Sequence, residues 1–140
     1  MNKLFIDSDI LIDLLAQREN YLQAAALMSI IMDKKAAAYT TPLILANVDY
    51  IITKYSNKIK SRKAIKTLNK IITVIPIDEK IVNKALESEF SDFEDAIQCF
   101  AAEKEKINFI ITRNKKDYKK GKIKVITAQE YITMYEAKDF

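Results

Sequence analysis

Apolar residues along this chain fall into short, dense runs separated by brief polar stretches. Lys3-Leu4-Phe5-Ile6 is such a run and ends at Asp7. Residues 10–15 then carry apolar side chains too densely for a surface strand, so the pattern predicts strand, turn, helix. Residues 21–34 form a longer helical stretch, and Ala36-Ala37-Ala38-Tyr39-Thr40 reads as a buried strand. Thr41 is placed to cap a helix whose first residue is Pro42, where a missing N–H costs nothing, and that helix should run to about Tyr55. Residues 60–70 put Ile65, Leu68, Ile71 and Ile72 on one face, with Lys60, Arg62, Lys63, Lys66 and Lys70 largely elsewhere, which predicts an amphipathic helix with a basic side. Thr73-Val74-Ile75 predicts a strand stopped by Pro76, and Asp78 a cap for the helix 79–86. Ser91-Asp92-Phe93-Glu94 has the spacing of a capping box, so a helix is expected from Asp92 to near Lys106. Asn108–Thr112 and Ile123–Ile126 are the last strands, and Thr127-Ala128-Gln129-Glu130 is a second capping box opening a final helix.

Short apolar strands alternating with amphipathic helices predict an α/β fold with a parallel sheet of four or five strands covered on both faces. The length suits one domain spanning residues 1–140. In such sheets ligands bind beyond the carboxyl ends of the strands, where the strand order switches. The polar residues expected there are Asp7 and Asp9 after the first strand, Thr40 and Thr41 after the second, and Thr112, Asn114 and Asp117 after the fourth.

Composition narrows the chemistry. There is no histidine, which removes Ser-His-Asp and Cys-His catalysis, His-ligated zinc and the histidine acid–base pair of metal-free ribonucleases. Cys99 is the sole cysteine, so no intramolecular disulfide and no cysteine-cluster zinc site can form, and core packing is its expected role. Chemistry in this chain needs carboxylates. The apolar runs at 9–15 and 24–32 are too short or too interrupted to cross a bilayer, and the first strand begins by Lys3 with no signal peptide before it. No membrane association and a cytoplasmic location are therefore expected. A net charge of +4 suits a polyanionic partner without identifying one.

Asp92 and Asp95 are three apart at a helix start, so both can serve one target. Each acid alone has an ordinary explanation: carboxylates favour helix N-termini, and Asp7, Ser8 and Asp9 are equally good caps for the first helix. Converging on one strand-end crevice, however, several carboxylates repel one another unless a cation or a proton relieves them. Oxygen-rich sites of that kind suit Mg²⁺ or Mn²⁺, and such an ion can polarise a phosphodiester without histidine.

LFIDSDILIDLL, TTPLILANVDYII, SDFEDAIQCFAA and IITRNKKDY resemble, in order, the successive motifs of PIN-domain proteins, and the resemblance covers nearly the whole chain. It implies a three-layer α/β/α sandwich and a Mg²⁺- or Mn²⁺-dependent ribonuclease leaving 5′-phosphate and 3′-hydroxyl ends. For small bacterial members similar to VapC toxins, it also implies an antitoxin protein as partner and a homodimer, to which residues 24–32 and 43–52 are candidate contributors. By position, Asp7 resembles the family's first acidic ligand and Asp95 the acid opening the later helix. The second acid usually stands where this chain has Asn47, and the fourth often where it has Asn114. Asp9 stands at a position the family often fills with Asn, Asp92 and Asp117 are placed to restore the missing negative charge, and Asp9, Asp92 and Asn114 are the supporting ligands. Thr112, Arg113, Lys115 and Lys116 are candidate substrate contacts, with Lys119, Lys120, Lys122 and Lys124 crowding the same segment.

Two other readings compete. Asp7 and Asp9 also resemble the D-x-D signature of haloacid-dehalogenase-like phosphatases, but Gly121 is the only glycine, so no glycine-containing acidic motif or glycine-rich flap follows. A catalytically degenerate PIN-like module that binds RNA or protein without cutting is the non-enzymatic alternative, and a metal titration separates it from the nuclease.

Overall fold

The computed structural model describes residues 1–137. Within them, strands β1 (Asn2–Ile6), β2 (Ala36–Thr40), β3 (Thr73–Val74), β4 (Phe109–Ile111) and β5 (Lys124–Ile126) form one sheet in the order β3-β2-β1-β4-β5, every neighbouring pair being parallel. The central strand is apolar on both faces. Leu4, Phe5 and Ile6 expose no surface, and burying each contributes roughly 1.5–3 kcal/mol. Ile6 stands opposite Ile111, so Asp7 and Thr112 leave the sheet side by side.

The helices are α1 (Ser8–Leu15), α2 (Tyr21–Met32), α3 (Pro42–Tyr55), α4 (Lys58–Asn69), α5 (Glu79–Leu86), α6 (Phe93–Lys104) and α7 (Ala128–Ala137). From β1 the chain steps outward to β2 and β3, then returns across the sheet to β4 on the other side of β1. Because parallel crossovers are right-handed, that reversal puts α1–α4 on one face and α5 and α6 on the other. The packing agrees: α1 meets α2 and α3, α2 meets α7, and α5 pairs with α6. This is the expected α/β/α sandwich. Its switch point lies between β1 and β4, where a parallel sheet opens a crevice at its carboxyl end.

Local signals set most helix starts. Thr41 accepts the Ile44 N–H at 3.2 Å with Pro42 in the first position, and Asp78 accepts the Ile81 N–H at 3.0 Å. Thr127 and Glu130 bond reciprocally at 2.9 and 3.1 Å, forming the second capping box. The box expected at Ser91 does not form. Asp92 caps instead, accepting the Asp95 N–H at 2.9 Å, because its carboxylate reaches the third amide of a helix that starts one residue later, at Phe93. Helix α4 likewise starts at Lys58, two residues before the expected point, since Asn57 caps it.

A 3-10 turn over Lys115–Tyr118 was not predicted, having no apolar periodicity to announce it. Gly121 lets the loop after it close onto α6: a Cβ there would lie 2.3 Å from Cys99 Sγ. Cys99 itself is fully buried, as expected. Ala24, Leu27, Met28, Ile30 and Ile31 of α2 and Ile44, Val48 and Ile52 of α3 also lie in the core, so most of the apolar surface anticipated for association is internal. Among the described residues no helix is long and apolar enough to cross a membrane.

Candidate active site

Asp7 continues the β1 ladder by donating its N–H to Ile111 O at 3.1 Å, and its side chain caps α1 by accepting the Ser8 N–H at 2.8 Å. Ser8 and Asp9 are therefore not the cap. The Thr112 hydroxyl sits between the two aspartates, 2.9 Å from Asp7 Oδ2 and 3.1 Å from Asp9 Oδ2, and Asp9 also accepts the Arg113 N–H at 2.9 Å. Asp7 keeps some contact with solvent but is packed deep among protein atoms. Desolvation, then the neighbouring charge of Asp9, push its pKa up to about 6, against the opposing hydrogen bonds from Ser8 and Thr112 and the nearby Tyr118 hydroxyl. Burial also raises Asp9.

Asp95 reaches the same crevice from the first turn of α6. Its helix is held at the sheet by Thr41 at the β2–α3 junction, whose hydroxyl donates to Gln98 Oε1 at 2.6 Å, one turn beyond Asp95 and fully inside the protein. Burial first, and then the charges of Asp92, Asp117, Asp7 and Glu94, push the Asp95 carboxyl up to about 7. Asp117 arrives on the 3-10 turn, followed by the buried Tyr118. The Tyr118 hydroxyl faces Asp7 without a well-aligned hydrogen bond, and burial together with the charges of Asp7 and Asp95 drives its pKa up.

Asp95 and Asp117 border an open cleft of about 650 Å³, whose walls also include Asp92, Glu94, Lys116, Lys119 and Lys120, while Asp7, Asp9 and Thr112 are not among them. Several sequence candidates lie apart from it. Lys115 Nζ is 3.0 Å from Glu130, and the Arg113 guanidinium is 2.8 Å from Asp13. Asn114 is exposed at the start of the 3-10 turn and is not among the cleft walls. Asn47, on α3, donates to Glu94 Oε2 at 3.3 Å. Glu94, in sequence an ordinary first-turn helix acid, and Tyr118, for which no local signal exists, also belong to this region.

Among the described residues no three His, Cys, Asp or Glu side chains close tightly enough to enclose an ion as they stand. The donor set nevertheless fits a hard divalent cation. It is made of carboxylate oxygens, its negative charges raise one another's pKa values, and Asp92 and Asp117 stand exposed beside Asp95.

The sequence matches the PIN-domain family over residues 3–116. The chain belongs to that family. A relative from Aquifex aeolicus (strain VF5), Ribonuclease VapC1, is 28% identical over 135 residues, covering 92% of each chain. The fold of this PIN domain is shared with a chain in the crystal structure of VapBC2 from Rickettsia felis bound to a promoter DNA fragment, at TM-score 0.68 and 14% identity over 89% of this chain and 98% of that one. A toxin–antitoxin complex from Klebsiella pneumoniae matches at TM-score 0.64 and 25% identity, over 89% of this chain and 97% of that one. Family membership displaces the phosphatase reading of Asp7 and Asp9, and so does the geometry. Asp9 is bonded back to Thr112 and Arg113 instead of standing in the cleft as an acid–base group.

Proposed function

We propose that this PIN domain is a Mg²⁺- or Mn²⁺-dependent endoribonuclease and the toxin of a toxin–antitoxin pair. The observation that carries the reading is the convergence of Asp7, from the end of β1, on Asp95, from the start of α6, which borders a cleft lined by further acids and by lysines. The relative named as a ribonuclease, and the structural relatives solved as toxin–antitoxin complexes, support the activity and an antitoxin partner.

Asp7 and Asp95 are the residues that would hold the ion, with Asp92 and Asp117 beside them. When bound, such an ion neutralises charge on the scissile phosphate and makes a water acidic enough to act as nucleophile near neutral pH. The protein's own groups do the rest. Thr112 fixes the Asp7 carboxylate by donating to it, while Lys116, Lys119 and Lys120 attract the RNA backbone to the cleft. Asn47 holds Glu94 at the rim. A homodimer belongs to the same reading. Its contacts would come from the apolar groups left outside, such as Tyr50, Tyr55 and Ile59 of α3 and α4, and a monomer in sedimentation at micromolar concentration rejects it.

Asp7→Asn and Asp95→Asn should each lower metal-dependent cleavage by roughly two orders of magnitude or more, about 3 kcal/mol of transition-state stabilisation. Neither should unfold the protein, because Asn caps a helix as well as Asp and the change removes repulsion. Full activity in either variant takes that carboxylate out of catalysis. The binding-module alternative draws on Asn47 and Asn114 standing where acids are expected. Absence of Mn²⁺ binding by calorimetry, together with intact RNA after long incubation, selects it.

A further inference from the structure

Asp13 is a charged residue in the apolar run of α1, with 1% of its surface exposed and no place among the cleft walls. Each of its oxygens meets an arginine. Oδ1 lies 3.0 Å from Arg18 Nη2, and Oδ2 lies 2.8 Å from Arg113 Nε. Burying an ionised carboxylate is costly, and an apolar residue at this position would pack without that cost. The two arginines lead to different places. Arg18 sits on the turn between α1 and α2, where its N–H bonds Asp13 O at 3.2 Å, and its side chain also reaches the Tyr55 hydroxyl of α3. Arg113 sits in the segment that leaves β4 for the crevice. Its guanidinium lines a neighbouring pocket of about 230 Å³ instead of the acidic cleft, while its backbone N–H holds Asp9.

We propose that Asp13 is a positioning residue for the active site: through Arg113 it fixes the segment after β4, so that Thr112 and the Arg113 N–H hold Asp7 and Asp9 in place. The chain of contacts is continuous, from Asp13 to the Arg113 side chain, from the Arg113 N–H to Asp9, and from the Thr112 hydroxyl to both Asp9 and Asp7. Residues 113–117 are exposed, and this ion pair joins the Arg113 N–H bond to Asp9 in tying the start of the segment to α1, while Lys115 is held separately by Glu130. Arg113 accordingly acts toward the interior and not as a contact for the RNA backbone.

The inference rests on the nuclease reading above, and the test separates the two. Asp13→Asn, Arg113→Gln and Arg18→Gln are compared with the unaltered protein in RNA cleavage with Mn²⁺, in amide hydrogen exchange without metal, and in thermal melting. Asp13→Asn and Arg113→Gln should lower kcat about 10–100-fold, as loss of a group supporting a metal-site ligand does, with KM within about threefold. Both should speed exchange at residues 112–118 while leaving α6 unchanged. Arg18→Gln should lower the melting temperature yet keep kcat within about twofold, because its arm leads away from the site. Arg113 is partly exposed, so its variant keeps the test open if Asp13→Asn fails to fold. The proposal is overturned by unaltered kcat in Arg113→Gln, by a raised KM at unchanged kcat in that variant, or by equal losses of kcat in Arg18→Gln and Arg113→Gln. Should the unaltered protein cleave no RNA with any divalent metal, the nuclease reading falls. Exchange alone then judges the tether, and unchanged exchange at 112–118 in Arg113→Gln sinks it.

Discussion

Asp7 and Asp95 keep their protons to higher pH than free carboxyls do, to about 6 and about 7, chiefly because burial disfavours the charged form. In the unfolded chain both are ionised above about pH 4, so folding takes up protons between that pH and neutrality, and stability falls as pH rises across this window. The displacement of Asp7 from its ordinary 3.8 to about 6 corresponds to ~3 kcal/mol, while Asp95, nearer to solvent, contributes less than its own displacement implies. Asp78 and Glu130 act in the opposite sense. Their pKa values are lowered, by Lys104 and by the Thr127 N–H respectively, so what they contribute is lost as pH falls below about 4. The metal-free protein should therefore melt at a higher temperature at pH 5.5 than at pH 7.5, and Mn²⁺ added at pH 7.5 should recover the difference by satisfying the carboxylates. Melting curves in a chelator that stay level from pH 5 to 8 would contradict the assigned repulsion.

At the scale of elements, the helix ends stand out because the chain has a single glycine. Gln17, Lys34 and Lys106 follow α1, α2 and α6 with φ of 51°, 59° and 58°, the left-handed conformation in which helices commonly stop and which glycine adopts without a Cβ clash. Lys34 is exposed, and Lys34→Gly should raise stability by roughly 0.5–1 kcal/mol, the relief of strain exceeding the extra entropy of an unfolded glycine. Denaturant unfolding measures this, and a loss of stability would show that the Lys34 side chain matters more than its backbone. The elements themselves were legible in the sequence wherever their signals are local. Apolar density marks β1 and β2, and Thr41, Asp78 and the Thr127–Glu130 box mark helix starts. Asp7 and Asp95 were placed correctly at a strand end and a helix start for the same reason. The 3-10 turn was not legible because it has no apolar periodicity, and the contact of Asn47 with Glu94 and the ion pair joining Asp13 to Arg113 were not because each depends on segments far apart in the chain. The charge of Asp13 inside an apolar run was the visible hint, without its partner.

For the whole molecule, the sheet order follows from how the crossovers wind, which no local pattern specifies, and that order brings the crevice together. The first strand in sequence is the central one, flanked by a neighbour that follows it closely and another more than 100 residues later. The groups meeting in the crevice accordingly range from Asp7 to Tyr118. During synthesis the chain emerges in order, so Asp7 is made first, and Thr112 and Asp117 arrive more than 100 residues after it. No growing chain shorter than that contains the complete set of groups. Whatever this crevice does to a nearby RNA, including the messenger being translated, is deferred until that later segment has been made.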